Sequence, residues 1–192
     1  MEFKKVTRVQ KGNYINRYNL TYETVDHQCK VYEMISRDSN IRTYNDLVNN
    51  TVDAVVLILE NETHDKILLN REFRMAIGDW IYNFPAGLID PGESPIESGR
   101  RELKEETGLD LVDVKQVLEP SYSAVGFSNE KTICLIGTAK GDFAPSSSTL
   151  EEIHADWYSR HKVFELLKNQ KFAARTQAYC WLWANMGSNR NK

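Results

Sequence analysis

The sequence predicts an α+β layered domain carrying an antiparallel, strand-rich extension at its N-terminus. Segments with strand-like alternation outnumber helical ones, and the helical segments gather in the middle and at the end of the chain instead of alternating with strands as in a βαβ series. Residues 3–37 alternate polar and apolar side chains around turn signals at Gly12-Asn13 and Asp26-His27. At 192 residues with 41% hydrophobic content, the chain holds one globular domain of ordinary core size plus the extension. The expected division is an extension over 1–50, a main domain over 51–187 and a frayed tail over 188–192.

Taken in order, Tyr18, Leu20 and Tyr22, then Val31, Tyr32, Met34 and Ile35, mark the strands of a meander. Residues 38–50 are polar and read as a loop. Strands are expected over 52–59 and 67–73, joined by the polar turn 60–65, and a shorter one over 81–84 after Gly78-Asp79. Ser94-Pro95-Ile96-Glu97 is a capping box, with Ser at the N-cap, Pro in the first turn and Glu three residues after the cap; Gly108 supplies the stop. Within that helix Ile96, Gly99, Leu103 and Thr107 form the stripe that packs on a sheet. Gly99 costs about 1 kcal/mol relative to Ala, which implies close approach to a neighbour. Strands follow over 111–118 and 132–139. Residues 141–149, with Pro145 and three consecutive serines, read as a loop able to act as a mobile flap. A strand over 153–158 and helices over 160–168 and 172–186 complete the chain.

The helix over 94–107 sets Glu102, Glu105 and Glu106 at i, i+3 and i+4, three carboxylates on one face within a turn. Like charges at that spacing cost roughly 0.2–0.5 kcal/mol per pair, so a helix that needed only stability would carry Lys at one of them. A hard divalent cation resolves the conflict, and oxygen-only ligation at a helix edge suits Mg2+, with Mn2+ as a substitute. Arg101 and Glu93 read as a pair in which the Arg fork holds the loop before the helix. Gly87 permits a close approach that a side chain would obstruct.

From Gly87 to Leu109 these residues, Glu93, Arg101-Glu102-Leu103, Glu105-Glu106 and Gly108 included, stand at the spacing of the Nudix signature, and the segment is identified as a member of the Nudix hydrolase family. A looser likeness to the ADP-ribose and ADP-sugar pyrophosphatase branch runs through Arg71-Glu72-Phe73-Arg74, residues 84–90 (FPAGLID) and residues 126–130 (GFSNE). Glu72 and Asn83 depart from that branch, which commonly has Gln and Glu there. The resemblance implies a Nudix α/β/α sandwich with a mixed sheet. It also implies Mg2+-dependent hydrolysis of the pyrophosphate of ADP-ribose or a related nucleoside diphosphate sugar, to a nucleoside monophosphate and a sugar phosphate. By resemblance Glu102 and Glu106 are the principal metal ligands, Glu105 a partial one, and the Ala86 carbonyl a backbone ligand. A loop glutamate would act as base, Glu151 or Glu152; Arg74 and Arg71 would meet phosphates, Glu130 the ribose, and Trp80, with Tyr14, Tyr18 or Tyr22, a purine. Gly87, Glu93, Arg101 and Gly108 would be architecture. The alternatives left open are a GDP-mannose type hydrolase and a non-catalytic Nudix-like nucleotide sensor.

A net charge of −3 and a pI near 5.9 argue against a nucleic-acid partner, which needs clustered cations. Cys29, Cys134 and Cys180 are widely spaced and odd in number, reading as buried reduced thiols in a cytoplasmic protein. His27, His64, His154 and His161 show no triad or zinc spacing. No secretory signal and no membrane span is expected. The extension is too small to bury its own apolar face, and together with the resemblance this predicts a homodimer whose N-terminal strands help build the substrate site.

Overall fold

Alternation at the start of the chain produces a three-stranded antiparallel sheet, β1 (Glu2–Gln10), β2 (Asn16–Glu23) and β3 (Cys29–Ser36), in that order. The computed structural model describes residues 1–48, 50–148 and 150–186; the tail expected over 188–192 lies outside the described residues, as do Asn49 and Thr149. The chain divides into two compact units, Met1–Ala54 with Glu119–Ile133, and Val55–Leu118 with the described residues from Cys134 onward.

The first unit has a small core of its own: Tyr18, Leu20, Met34 and Ile41, with Phe3, Val6, Tyr22, Tyr32 and Leu47 against it. The extension therefore buries more than expected. Tyr18 is fully buried and its hydroxyl donates to the Asp38 carbonyl at 2.8 Å, so it is core and not a stacking surface; Tyr14 is exposed. Cys29 opens β3 at the outer end of its hairpin and is exposed, unlike the buried Cys134 and Cys180. The loop expected over 38–50 contains a short helix, α1 (Tyr44–Val48). Asp46 nucleates it, its Oδ2 accepting from the backbone N–H groups of Arg42 and Thr43 at 2.9 and 2.8 Å, while Thr43 Oγ1 accepts from Asp46 N.

The remaining elements are β4 (Ala54–Glu60), β5 (Lys66–Arg74), β6 (Asp79–Asn83), β7 (Ala86–Leu88), α2 (Pro95–Thr107), β8 (Asp110–Val117), β9 (Ser121–Tyr122), β10 (Lys131–Lys140), β11 (Ile153–Ser159), α3 (Arg160–Asn169) and α4 (Ala174–Met186). The strand order is β11-β5-β4-β10-β8, with β6 beside β5, β7 beside β4 and β9 beside the start of β10. The fold is α+β, a mixed sheet with helices together with the antiparallel N-terminal sheet.

Strand β4 reads as a continuous apolar run because both of its faces are covered. Val56 and Ile58 join Ile67, Leu69, Tyr82, Phe84 and Cys134 in a core closed by Val163 and Leu166 of α3 and Cys180 and Trp183 of α4. Val55 and Leu57 turn to the other face, against α2. There a Cβ on Gly99 would lie 2.8 Å from Leu135 Cδ1 and 3.0 Å from Leu57 Cδ2, so the helix approaches the sheet as closely as its sequence implied. The buried residues of α2 are Ser98, Gly99, Leu103, Glu106 and Thr107. That face is rotated toward Glu106, which leaves Ile96, expected in the stripe, 38% exposed.

Candidate active site

Helix α2 is fixed at both ends. Ser94 Oγ accepts from Glu97 N at 3.3 Å while Glu97 Oε2 accepts from Ser94 N at 2.8 Å, the reciprocal capping box. Gly108 (φ 80°) ends the helix in the left-handed region, donating to the Lys104 carbonyl. The loop expected as a flap satisfies further terminal carbonyls: Ala144 N donates to Thr107 O and Ser147 N to Glu105 O, each at 2.9 Å. That loop is thus tied to the helix at two points.

The three glutamates sit at different depths. Glu106 is 7% exposed, and Asn70 Nδ2 donates to its Oε2 at 2.8 Å; burial pushes its carboxyl well above the usual range. Glu102 is likewise raised by burial, although Arg101 Nη1 donates to its Oε1 at 2.7 Å. Glu105 stands at the rim with a half-exposed side chain, 3.5 Å from the same nitrogen. Arg101 therefore supplies an internal cation to this face. It also forks onto Glu93, Nε to Oε1 and Nη2 to Oε2 at 3.0 Å each, and this pairing holds the Glu93 carboxyl down at about 2. Arg101 Nη2 further donates to the Leu88 carbonyl at 3.0 Å, pinning the segment that precedes the helix.

Gly87 shows what the close approach is for. A Cβ there would fall 1.8 Å from Glu102 Cδ, so the glutamate carboxylate occupies the space a side chain would fill. Among the described residues no three His, Cys, Asp or Glu side chains already converge as a closed metal centre, because Glu102 is turned to Arg101 and Glu106 to Asn70. The donor set nonetheless fits a hard divalent cation. Two carboxylates are held in burial that disfavours their charge, beside the Ala86 backbone, and the wholly buried Asn70 Oδ1 has no hydrogen-bond partner.

Glu106 and Ala86 open onto a cleft of about 260 Å3 whose lining also includes Glu72, Arg74, Glu151 and Glu152. The charge of Glu151 acts on Glu72, Glu102 and Glu106, whereas Glu152 is fixed through its carbonyl, which accepts from Phe73 N at 3.0 Å. Arg74 is half exposed, with Nη1 3.7 Å from Glu72 Oε2. Arg71 lies over the Trp80 ring, 4.5 Å from its centroid, and His154 stacks on the same ring at 5.4 Å. Both side chains thus have partners within the protein. Glu130 belongs to the first unit, where it pairs with Arg37 at 2.8 Å.

Sequence reading passed over Asn70 and gave Glu72 no role in the site. A signal was present: with period-2 alternation, Leu68, Asn70 and Glu72 share one face of β5, and polar side chains on the covered face of a buried strand mark something other than packing.

A family model described as the NUDIX domain matches residues 50–182. The chain is similar to the ADP-sugar pyrophosphatase of Mus musculus, 26% identical over 136 residues, covering 71% of this chain and 60% of that protein. It is similar also to the ADP-ribose pyrophosphatase of Escherichia coli strain K12, 27% identical over 150 residues, covering 72% and 71%. A crystal structure of an ADP compounds hydrolase superposes with a TM-score of 0.72 over 99% of this chain and 97% of its own; at 21% identity that likeness speaks to the fold. Among the described residues no helix is long and apolar enough to cross a membrane.

Proposed function

The chain belongs to the NUDIX family, and from that premise we propose that it is a pyrophosphohydrolase that cleaves ADP-ribose or a related nucleoside diphosphate sugar with the help of Mg2+. The observation that carries this reading is the capped helix α2, which sets the Glu102 carboxylate against Gly87 and places Glu106 with Ala86 in a cleft whose other walls include Arg74 and Glu151. In this reading Glu102, Glu106 and the Ala86 carbonyl hold the divalent cation, with Glu105 at the rim as a weaker contributor. When bound, the cation supplies charge that offsets the build-up on phosphate oxygens and acidifies a water molecule.

The chain's own groups do the rest. Glu151 accepts a proton from the attacking water, and its charge already bears on the carboxylates of the cleft. Arg74 neutralises a phosphate oxygen, exchanging its 3.7 Å contact with Glu72 for a shorter one to substrate. Arg101 and Glu93 hold the loop after Gly87 so that Glu102 keeps its place. The products are a nucleoside monophosphate and a sugar phosphate. We further assign residues 1–50 to an extension that joins two copies of the chain, and the main domain to residues 51–187. We place the protein in the cytoplasm, acting on a small anionic substrate and not on nucleic acid.

The test is a panel of nucleoside diphosphate sugars, ADP-ribose, dinucleotides and nucleoside triphosphates, incubated with and without Mg2+, with products separated by chromatography. Mg2+-dependent release of a nucleoside monophosphate from ADP-ribose or a nucleotide sugar is expected. Preference for GDP-mannose would move the substrate within the same chemistry, and nucleotide binding without turnover would replace the enzyme by a sensor.

A further inference from the structure

Strand β5 projects Leu68, Asn70 and Glu72 to one face, and Asn70 meets Glu106 from that face. Glu72 lies one pleat further along and lines the same cleft as Glu106 and Glu151. It is only 6% exposed. An ionised carboxylate at that depth is costly unless paired. Its positive neighbour, Arg74, stands 3.7 Å from Oε2, beyond hydrogen-bond distance, and is itself 55% exposed. Close by, Asn70 Oδ1 is a second oxygen on this face, wholly buried and without a hydrogen-bond partner.

The other oxygen of Glu72 is held in place. Phe84 N donates to Thr176 Oγ1 at 3.3 Å, which leaves the hydroxyl proton for Asn83 Oδ1 at 2.8 Å. The Asn83 amide is thereby oriented, and its Nδ2 donates to Glu72 Oε1 at 2.9 Å. A run of three hydrogen bonds, from the Phe84 N–H through Thr176 of α4 and Asn83, thus aims a carboxylate into a cleft that already holds Glu106 and Glu151. Packing alone would be served by an uncharged side chain.

We propose that Glu72 is a further ligand for the divalent cation of this cleft, giving a carboxylate oxygen from β5 to face those of α2, and that Asn83 and Thr176 are positioning residues that aim it. This rests on the reading of the cleft as a divalent-metal site and adds a residue to it.

The experiment is a direct titration of the full chain with Mn2+ in the absence of substrate, following free Mn2+ by electron paramagnetic resonance, with melting temperatures measured alongside. Glu72→Gln keeps an acceptor for Asn83 and removes only the charge. It should weaken Mn2+ binding about tenfold or more without lowering the melting temperature of the metal-free protein. Thr176→Val should weaken Mn2+ binding in the same direction, and Thr176→Ser, which retains the hydroxyl, should restore it. If Glu72→Gln binds Mn2+ as the wild type does while Glu106→Gln has lost it, the inference is wrong and the metal site stands. If the wild type binds no Mn2+, the metal reading itself falls and takes the inference with it. If Glu72→Gln does not fold, the Thr176 pair decides: equal affinity of the Val and Ser variants overturns the proposal.

Discussion

Glu102 and Glu106 are kept in burial by different neighbours, Arg101 for one and Asn70 for the other, and both neighbours can donate to an amide as well as to a carboxylate. Glu102→Gln and Glu106→Gln should therefore fold. Each should lose roughly 100-fold or more in kcat, the scale of removing a main electrostatic stabiliser. For Glu106→Gln the metal-free protein should melt no lower than wild type, since a buried charge is gone. Steady-state kinetics at saturating Mg2+ with parallel melting curves check both, and near-normal kcat in both variants would remove the metal assignment. The two loop glutamates separate by the same method. Glu151→Gln should lower kcat more than it changes KM, and Glu152→Gln, whose held atom is a backbone carbonyl, should leave both close to wild type. The reverse order would move the base by one residue. Glu93 predicts a pH effect whose sign follows from its depressed value. The Arg101 pairing contributes stability in full above the ordinary glutamate value of 4.5 and loses it as pH falls toward about 2. Glu93→Gln should thus lower the melting temperature at pH 7 by more than at pH 3; a constant difference across that range would mean the pair adds no charge-dependent stability.

Among the elements, α2 was the most legible in the sequence because its limits are written in local chemistry: the Ser94 and Glu97 capping box, Pro95 and Gly108 act within one turn of their own position. The strands were readable by alternation to within about two residues. What escaped depends on partners far along the chain. α1 rests on backbone bonds to a single aspartate inside a polar stretch, and β7 and β9 are too short for any period to show. In the site, Gly87 was legible as a close approach, but its partner Glu102 was not, and neither were the contacts of Glu72 and Asn70 with residues on other elements. The approach of α2 to the sheet gives a prediction at this scale. Val in place of Gly99 improves helix propensity by a fraction of about 1 kcal/mol but drives a Cβ and two methyls into Leu135 and Leu57. Overpacking of this kind costs about 1–3 kcal/mol, so Gly99→Val should lose that much in urea unfolding. An unchanged midpoint and slope would mean that the helix can lift from β4 and β10 freely.

At the scale of the whole molecule, the first unit decides whether the chain acts alone. Its core is real but small, and it leaves Val9, Ile15, Val25 and Val31 exposed at 48%, 48%, 89% and 55%. Strand β1 is an outer edge of its sheet, nine residues long, a length that proteins usually cover or guard. Lys4, Lys5 and Arg8 on that strand give it some guard against indiscriminate pairing. The cover we predict is a symmetric partner, since a two-fold contact between two such sheets would set each copy's exposed apolar side chains against the other's. We therefore predict a homodimer, and light scattering should return twice the chain mass of 22.2 kDa. Deleting the first 40 residues would be a poor test, because it would strip Tyr18, Leu20 and Met34 from around Ile41 and unfold what it meant to probe. Val9→Lys with Val31→Lys is better, since both positions are exposed and lie outside the small core. The double variant should run as a monomer with its melting transition otherwise intact. If the extension also contributes to the substrate site, KM for the nucleotide sugar should rise with the loss of the dimer. A wild-type chain that scatters as a monomer rejects the pairing outright, and a double variant that stays dimeric removes this face as its origin.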